Sequence, residues 1–268
     1  MFCHISQRSC AVLAVTALIS GCDGSGGDGD PATSPITLSG PLSSALAAAD
    51  QIQPSSDGTI SVNAMLAGFP AAAMTDFAAR FPNSLADEQY RRVSYNGGVV
   101  VAEVFGIEGE NAAETAEVSA LYRADGSFVS SVSSSMLATV PANVTNTVNS
   151  LYPGATVTET QQRVDENGAI TYAVDLDLAG SELDLLLDSA GALVETAQEI
   201  AAAQAPAAVV TAAQQELAGG VAIEYEQVTN TQAGSVVYEA ELDHDIEGVE
   251  LSFSDTGQIL SMTFEQEI

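Results

Sequence analysis

Three segments with helical spacing of apolar residues each follow a proline. Large apolar side chains lie seven and eleven residues after Pro70 and after Pro141. After Pro206, the same two positions hold a small alanine and a leucine. Proline is favourable in the first turn of a helix, because its missing N–H would have no intrahelical partner there. Helix-ending residues follow at matching positions: Pro82-Asn83, Pro153-Gly154 and Ala218-Gly219. The pattern predicts three short amphipathic helices.

The sequence after each predicted helix alternates between apolar and polar residues, as strands do. In the middle segment, Tyr172, Val174 and Leu176 alternate with polar or small residues after a hairpin signal at Asn167-Gly168. Further strand-like stretches follow, separated by glycine-containing turns. Each helix is therefore predicted to precede about four antiparallel strands.

The spacing of matching residues indicates an internal repeat. Tyr172 precedes Gly191 by 19 residues, and Tyr238 precedes Gly257 by the same distance. We expect an α+β fold made of tandem units, each with one helix packed on a roughly four-stranded antiparallel sheet. The predicted units are residues 69–135, 136–200 and 201–268, and residues 42–68 form a partial unit or an N-terminal extension.

The N-terminus carries the features of an export signal. An apolar run extends from Cys10 to Ile19 after a short basic and polar start. The run is shorter than the roughly 20 apolar residues that span a bilayer as a helix. Residues 1–21 are therefore predicted to be a signal peptide.

The residues that end this segment, Ile19-Ser20-Gly21-Cys22, resemble the bacterial lipobox. The resemblance implies that Cys22 is lipidated after cleavage and holds the protein in the cell envelope, facing the periplasm. Asp23 resembles the signal that retains enterobacterial lipoproteins in the inner membrane. Residues 22–41 are rich in glycine, aspartate and proline and are predicted to be a flexible tether.

The chain is strongly acidic, with 36 Asp and Glu against 6 Lys and Arg and a formal net charge of -30. Binding to nucleic acid depends on lysine and arginine that replace the counterions of the phosphates. The charge therefore argues against a nucleic-acid partner. An acidic surface favours solubility and attracts cationic partners.

One family resembles the last unit and, in part, the middle one. Three stretches, Tyr238 to Leu242, Val249 to Phe253 and Asp255 to Leu260, are similar to the PepSY-like family of β-lactamase-inhibitor-like domains. The first unit departs from the pattern, because Val101 stands about where the tyrosine is expected. The resemblance implies secreted or lipid-anchored modules that bind proteins or peptides and have no catalytic residues.

Few residues suit catalysis or metal binding. After the predicted signal peptide, the chain has one cysteine, Cys22, and one histidine, His244. A Ser-His-Asp triad would have to use His244 as its base, and no Cys/His spacing suits zinc. The carboxylate pairs lack the tryptophan platforms that usually accompany sugar hydrolysis. We expect no enzyme activity, no catalytic residues, no metal site and no cofactor.

The alternation of apolar and polar residues along the strands also predicts an acidic surface. Seven acidic residues point away from the apolar side of the predicted sheets, and the helices can cover only one face of a sheet. We expect an open acidic face that attracts a cation or a basic partner. The residues of this predicted binding face are Asp175, Asp177, Glu182, Asp184, Glu239, Glu241 and Glu250.

These features lead to one functional hypothesis and two alternatives. The chain is expected to be a non-catalytic, lipid-anchored binding or inhibitory module that recognises an envelope protein or peptide. One alternative is a structural or salt-adapted envelope lipoprotein without a specific ligand. The second alternative is a periplasmic calcium buffer.

Overall fold

The computed structural model describes residues 53–54, 60–61, 69–96, 99–111, 116–178, 180–216, 223–244 and 247–267. The predicted signal peptide, Cys22, the tether and most of the predicted unit at 42–68 lie outside these residues. Among the described residues, no helix is both long enough and apolar enough to cross a membrane.

Three α-helices and fourteen strands occur in the described part of the chain. The helices are α1 (Ala71–Arg80), α2 (Ala142–Leu151) and α3 (Ala207–Glu216). The strands are β1 (Gln53–Pro54), β2 (Ile60–Ser61), β3 (Ser84–Asn96), β4 (Val99–Asn111), β5 (Glu117–Tyr122), β6 (Phe128–Ser134), β7 (Thr156–Asp165), β8 (Ile170–Asp177), β9 (Glu182–Asp188), β10 (Leu193–Glu199), β11 (Glu224–Asn230), β12 (Ser235–His244), β13 (Glu247–Phe253) and β14 (Ile259–Glu267).

Each helix begins directly after one of the three prolines. The carbonyl oxygens of Pro70, Pro141 and Pro206 accept hydrogen bonds from amides three or four residues later. Each proline therefore supplies the first acceptor of its helix, and the N–H that proline lacks is not needed. The three helices lie where the proline spacing predicts them.

The strands form one closed sheet, so the prediction of tandem helix-plus-four-strand units is wrong. The twelve strands β3 to β14 pair antiparallel in a continuous ring, and β14 pairs with β3 to close it. The pairs β6–β7 and β10–β11 join what were predicted to be separate sheets. A strand edge with unpaired N–H and C=O groups is a liability, and closure removes every such edge. The described part of the chain is mostly sheet, with three short α-helices.

The helices pack on the outer face of this ring. Ala73 and Phe77 of α1 are buried against Ile107, Ala120 and Tyr122. Helices α2 and α3 cover separate clusters of the same kind. The opposite sides of the helices are exposed, which places the helices outside the ring. Each helix thus buries its own apolar stripe.

The other face of the sheet points inward, and none of the three described α-helices covers it. Part of this inner face is apolar and forms two further clusters. Strands β6, β10 and β14 each contain a register shift of the β-bulge type. The residues at these shifts are Val129, Val194 and Leu260. Val129 belongs to the first inner cluster, and Val194 and Leu260 pack against the second. The inner clusters comprise Tyr90, Val104, Leu121, Val129 and Val132, and Leu186, Val194, Ala197, Val228, Val237 and Leu260.

Two hairpin glycines allow the turns to touch the helices closely. Gly191, between β9 and β10, has φ of 83°, and a Cβ placed on it would lie 2.7 Å from the carbonyl oxygen of Asn143. Gly257, between β13 and β14, meets the carbonyl oxygen of Ala208 at 2.6 Å in the same way. Both the positive φ and the close contact exclude a side chain.

Replacing Gly191 tests this packing. Gly191→Ala combines the strain of a positive φ with a clash against α2, whereas Gly168→Ala has the same strain without a clash, since Gly168 has φ of 80° and no neighbour within 4 Å. We expect Gly168→Ala to cost about 1–2 kcal/mol and Gly191→Ala at least about 1 kcal/mol more. Urea denaturation of both variants measures the difference. Equal losses would show that the turn does not press on the helix.

Candidate functional site

All seven residues of the predicted binding face lie on the inner face of the ring. The strand register sets Asp175 opposite Asp184 and Asp177 opposite Glu182. It also sets Glu241 opposite Glu250, while Glu239 lies opposite Ser252. The sequence alternation therefore places these residues on one face, as predicted, and their role in binding stays a prediction.

The closed sheet turns this face inward, so most of it is not the open surface that the alternation suggests. The exposed fractions of Asp175, Asp184, Glu239 and Glu250 are 9%, 7%, 3% and 5%. Glu182 and Glu241 are half-buried, and Asp177 is exposed. The structure thus separates a buried layer of carboxyl groups from a more accessible one.

The accessible carboxyl groups lie around one end of the ring, which we call the acidic end. Strands β7, β9 and β11 begin at this end, and β8, β10 and β12 finish at it, because neighbouring strands are antiparallel. Other acidic residues join the predicted ones there. The acidic end comprises Glu108, Glu117, Glu159, Asp175, Asp177, Glu182, Asp184, Glu199, Glu224, Glu226, Glu239, Glu241 and Glu250.

Asp175 is the centre of the first buried group. Burial, followed by the neighbouring carboxylates of Asp184 and Glu159, raises its pKa to about 8. Arg163 acts in the opposite direction by favouring the charged form. Burial also raises the pKa of Glu159. Asp175 therefore keeps its proton for much of the time at neutral pH.

Glu239 is the centre of the second buried group. Burial is the largest cause that raises its pKa well above the usual value, followed by the charges of Glu250 and Glu226. The Ser252 hydroxyl donates a hydrogen bond to Glu239 Oε1 at 3.1 Å, which partly opposes this rise. Its other carboxyl oxygen, Oε2, has no hydrogen-bond partner in the described part of the chain. A protonated Glu239 is the form that this environment favours.

Sequence reasoning missed two members of this group. Glu195 on β10 is 0% exposed, and its charge reaches Glu239 across β11. Simple alternation along β10 is broken by the bulge between Leu193 and Glu195, so period-two reasoning cannot assign its face. The sequence could have identified Glu226, because Glu224 and Glu226 alternate with the apolar-side residue Tyr225 on β11.

Asp177 has a structural task at the acidic end. Its Oδ1 accepts a hydrogen bond from the Gly180 amide at 2.6 Å, which fixes the turn between β8 and β9. At the opposite end of the ring, Asp165 and Asp188 hold their turns through similar bonds to backbone amides. These aspartates therefore stabilise their turns whether or not a partner binds.

The described residues contain no group of three or more His, Cys, Asp or Glu with the geometry of a metal site. The predicted calcium buffer therefore gains no support from these residues.

His244 ends β12, and its side chain is outside the described part of the structure. The carboxyl pairs face each other across strands, and the Ser252 hydroxyl lies opposite Glu239 among them.

No protein-family profile and no curated protein match this chain. Among solved structures, a DUF2874 family protein from Bacteroides uniformis is 20% identical with a TM-score of 0.37, over 45% of this chain and 87% of its own. A BLIP-like protein from Bacteroides fragilis is 20% identical with a TM-score of 0.34, over 48% and 86%. A candidate periplasmic protein from Bacteroides eggerthii is 16% identical with a TM-score of 0.38, over 48% and 89%. Membership of the PepSY-like family stays a prediction.

Two substitutions at Asp177 separate its structural task from a binding role. Asp177→Ala removes the acceptor for the Gly180 amide, and we expect the free energy of unfolding to fall by about 1 kcal/mol. Asp177→Asn keeps an oxygen acceptor and loses only the charge, so we expect most of the stability to remain. Thermal or urea denaturation of both variants checks this. Equal stability of the Ala variant and the parent would contradict the structural task.

Proposed function

We propose that this protein is a non-catalytic binding module of the bacterial cell envelope that holds a basic segment of a protein or peptide at its acidic end. One observation carries the proposal: most acidic side chains of the inner face lie toward one end of the closed sheet. A partner with lysine or arginine side chains has the complementary charge.

The arrangement suits attraction of a cationic segment. Glu199 and Glu224 are exposed on neighbouring strands, and Glu226 and Glu241 are half-buried beside them. Buried carboxyl groups lie next to these residues along the same strands. A concave site lined by one sign of charge with poorly polarisable walls focuses the electric field and raises the local concentration of counter-charged partners.

A purely salt-adapted or structural protein is a weaker explanation of this acidity. Acidity that serves solubility acts through hydrated carboxylates on the outside of a protein. Glu239 and Glu195 are 3% and 0% exposed, so their hydration contributes little, and burying them is costly. Their placement behind the acidic end favours a role in recognition.

The predicted lipid anchor completes the proposal. Cys22 would hold the module at the membrane, and the tether at 22–41 would let it reach nearby partners. Confinement to a surface raises the effective concentration, so a modest intrinsic affinity is sufficient. Anionic membranes repel the chain's net charge, so the lipid and not electrostatics would keep it there.

Charge reversal at the acidic end tests the binding site. Glu224→Lys should weaken binding of a lysine- and arginine-rich peptide by roughly threefold or more, since one attraction is lost and one repulsion is added. Isothermal calorimetry at low salt gives the affinity, and a glutamine- and serine-rich peptide of equal length shows whether charge is required. Rising salt should weaken binding of the basic peptide.

The matched control is Asp255→Lys, which makes the same change of charge at an exposed residue in the turn between β13 and β14, at the other end of the ring. We expect it to leave the affinity nearly unchanged. If both variants weaken binding equally, the attraction is a property of the net charge and the acidic end is not the site. If the basic peptide does not bind at all, the proposed function fails.

The anchor has its own test. Cys22→Ser removes the thiol that would receive the lipid, so the variant should lack the lipid mass and leave the membrane fraction. Mass spectrometry and fractionation of cells that produce each form measure both effects. An unchanged mass and unchanged membrane association would contradict lipidation at Cys22.

A further inference from the structure

We propose that closure of the sheet depends on protons: strands β10 to β13 stay paired while the buried carboxyl groups between them keep their protons, and this part of the ring loosens when those protons leave. The proposal does not require a binding partner and goes beyond the proposed function.

The strand register brings acidic side chains directly against each other. Glu226 on β11 lies opposite Glu239 on β12, and Glu241 lies opposite Glu250 on β13. Directly opposed residues of an antiparallel pair have Cβ atoms about 4.5–5.5 Å apart, so two charged carboxylates there repel each other. The pairing of these three strands is therefore weakened whenever both members of a pair are ionised.

Every strand packed against Glu239 contributes acidic or neutral groups. Strand β10 contributes Glu195, β11 contributes Glu226, and β13 contributes Glu250 and the Ser252 hydroxyl. Along β12 itself, Glu241 is the next residue on the inner face. Arg92 also faces inward, on β3 with 1% exposure, and β14 lies between β3 and β13. The immediate surroundings of Glu239 are thus rich in negative charge.

Protonation removes this repulsion. When one carboxyl of an opposed pair is protonated, the pair carries one negative charge instead of two. A protonated carboxyl group also costs less to bury than a carboxylate, and Glu239 is 3% exposed. Protonation therefore removes both the charge repulsion across the strands and most of the cost of burial.

The direction of the pH dependence follows from the pKa shifts. The pKa of Glu239 is raised in the folded protein, so its contribution to stability is complete below the pKa of the unfolded chain and is lost as pH rises through the folded pKa. Asp175 on β8 lies opposite Asp184 on β9 and has a pKa of about 8. Its contribution to stability is therefore also lost as pH rises. Stability should therefore fall between about pH 5 and about pH 9.

The experiment measures stability and local opening against pH. We expect the urea midpoint of the folded protein to fall from about pH 5 to about pH 9, and hydrogen exchange of the amides in β12 and β13 to speed up more than the ordinary pH effect on exchange. Glu239→Gln, which resembles the protonated residue and cannot ionise, should reduce this fall by a substantial fraction. Asp255→Asn removes an exposed charge from the turn between β13 and β14, at the other end of the ring, and serves as the matched control, with an unchanged pH profile.

Three outcomes would overturn the proposal: a midpoint that stays constant or rises over this range, a Glu239→Gln profile that matches the parent, or an equal effect of Asp255→Asn. If Glu239→Gln does not fold, infrared spectra of the parent protein in heavy water decide. An absorption from protonated carboxyl groups at neutral pH that disappears at alkaline pH supports the proposal, and its absence at neutral pH contradicts it. Neither measurement uses a peptide, so failure here leaves the proposed function intact.

Discussion

The pairing of β14 with β3 is the constraint on which the rest of the structure depends. It joins Thr263 to Ser94 across the ends of a long antiparallel sheet and leaves no free edge among the twelve strands. It also gives the sheet an inside and an outside. The outer face accepts the three described helices, whereas the described side chains of the inner face pack against one another inside the ring. The burial of Glu239 and Asp175 is a consequence of this closure and not of their local sequence.

The inner face combines a stabilising and a destabilising part. The apolar clusters around Tyr90 and Val228 favour closure, because each fully buried large apolar side chain contributes about 1.5–3 kcal/mol. An ionised buried carboxylate costs several kcal/mol unless it is well paired, and a whole domain has only about 5–15 kcal/mol of stability. Several ionised residues in the buried layer would offset much of this free energy of unfolding. Proton uptake by Glu239 and Asp175 is the physical way to keep the ring closed.

The sequence was a good guide to local structure and to shared faces. Pro70, Pro141 and Pro206 precede the helices, and the alternation around Tyr172 and Tyr238 places the seven predicted acidic residues on one side of the sheet. Alternation says which residues share a face, but it does not say whether that face is open or enclosed. That choice depends on pairing between strands far apart in the chain, such as β3 and β14, for which the sequence carries no local signal. The bulge before Glu195 hid one further buried acid for a related reason.

Binding and protonation are linked if one set of carboxyl groups serves both. A lysine or arginine side chain that approaches the acidic end favours the charged forms of the carboxyl groups around it, which include Glu226, Glu241 and, behind them, Glu239, and so directly disfavours any protons that these groups hold. A basic partner would then release protons when it binds, and by reciprocity its affinity would rise with pH. The same rise in pH loosens β12 and β13. The module would therefore accept a cationic segment most readily under the conditions in which its inner strands are easiest to move.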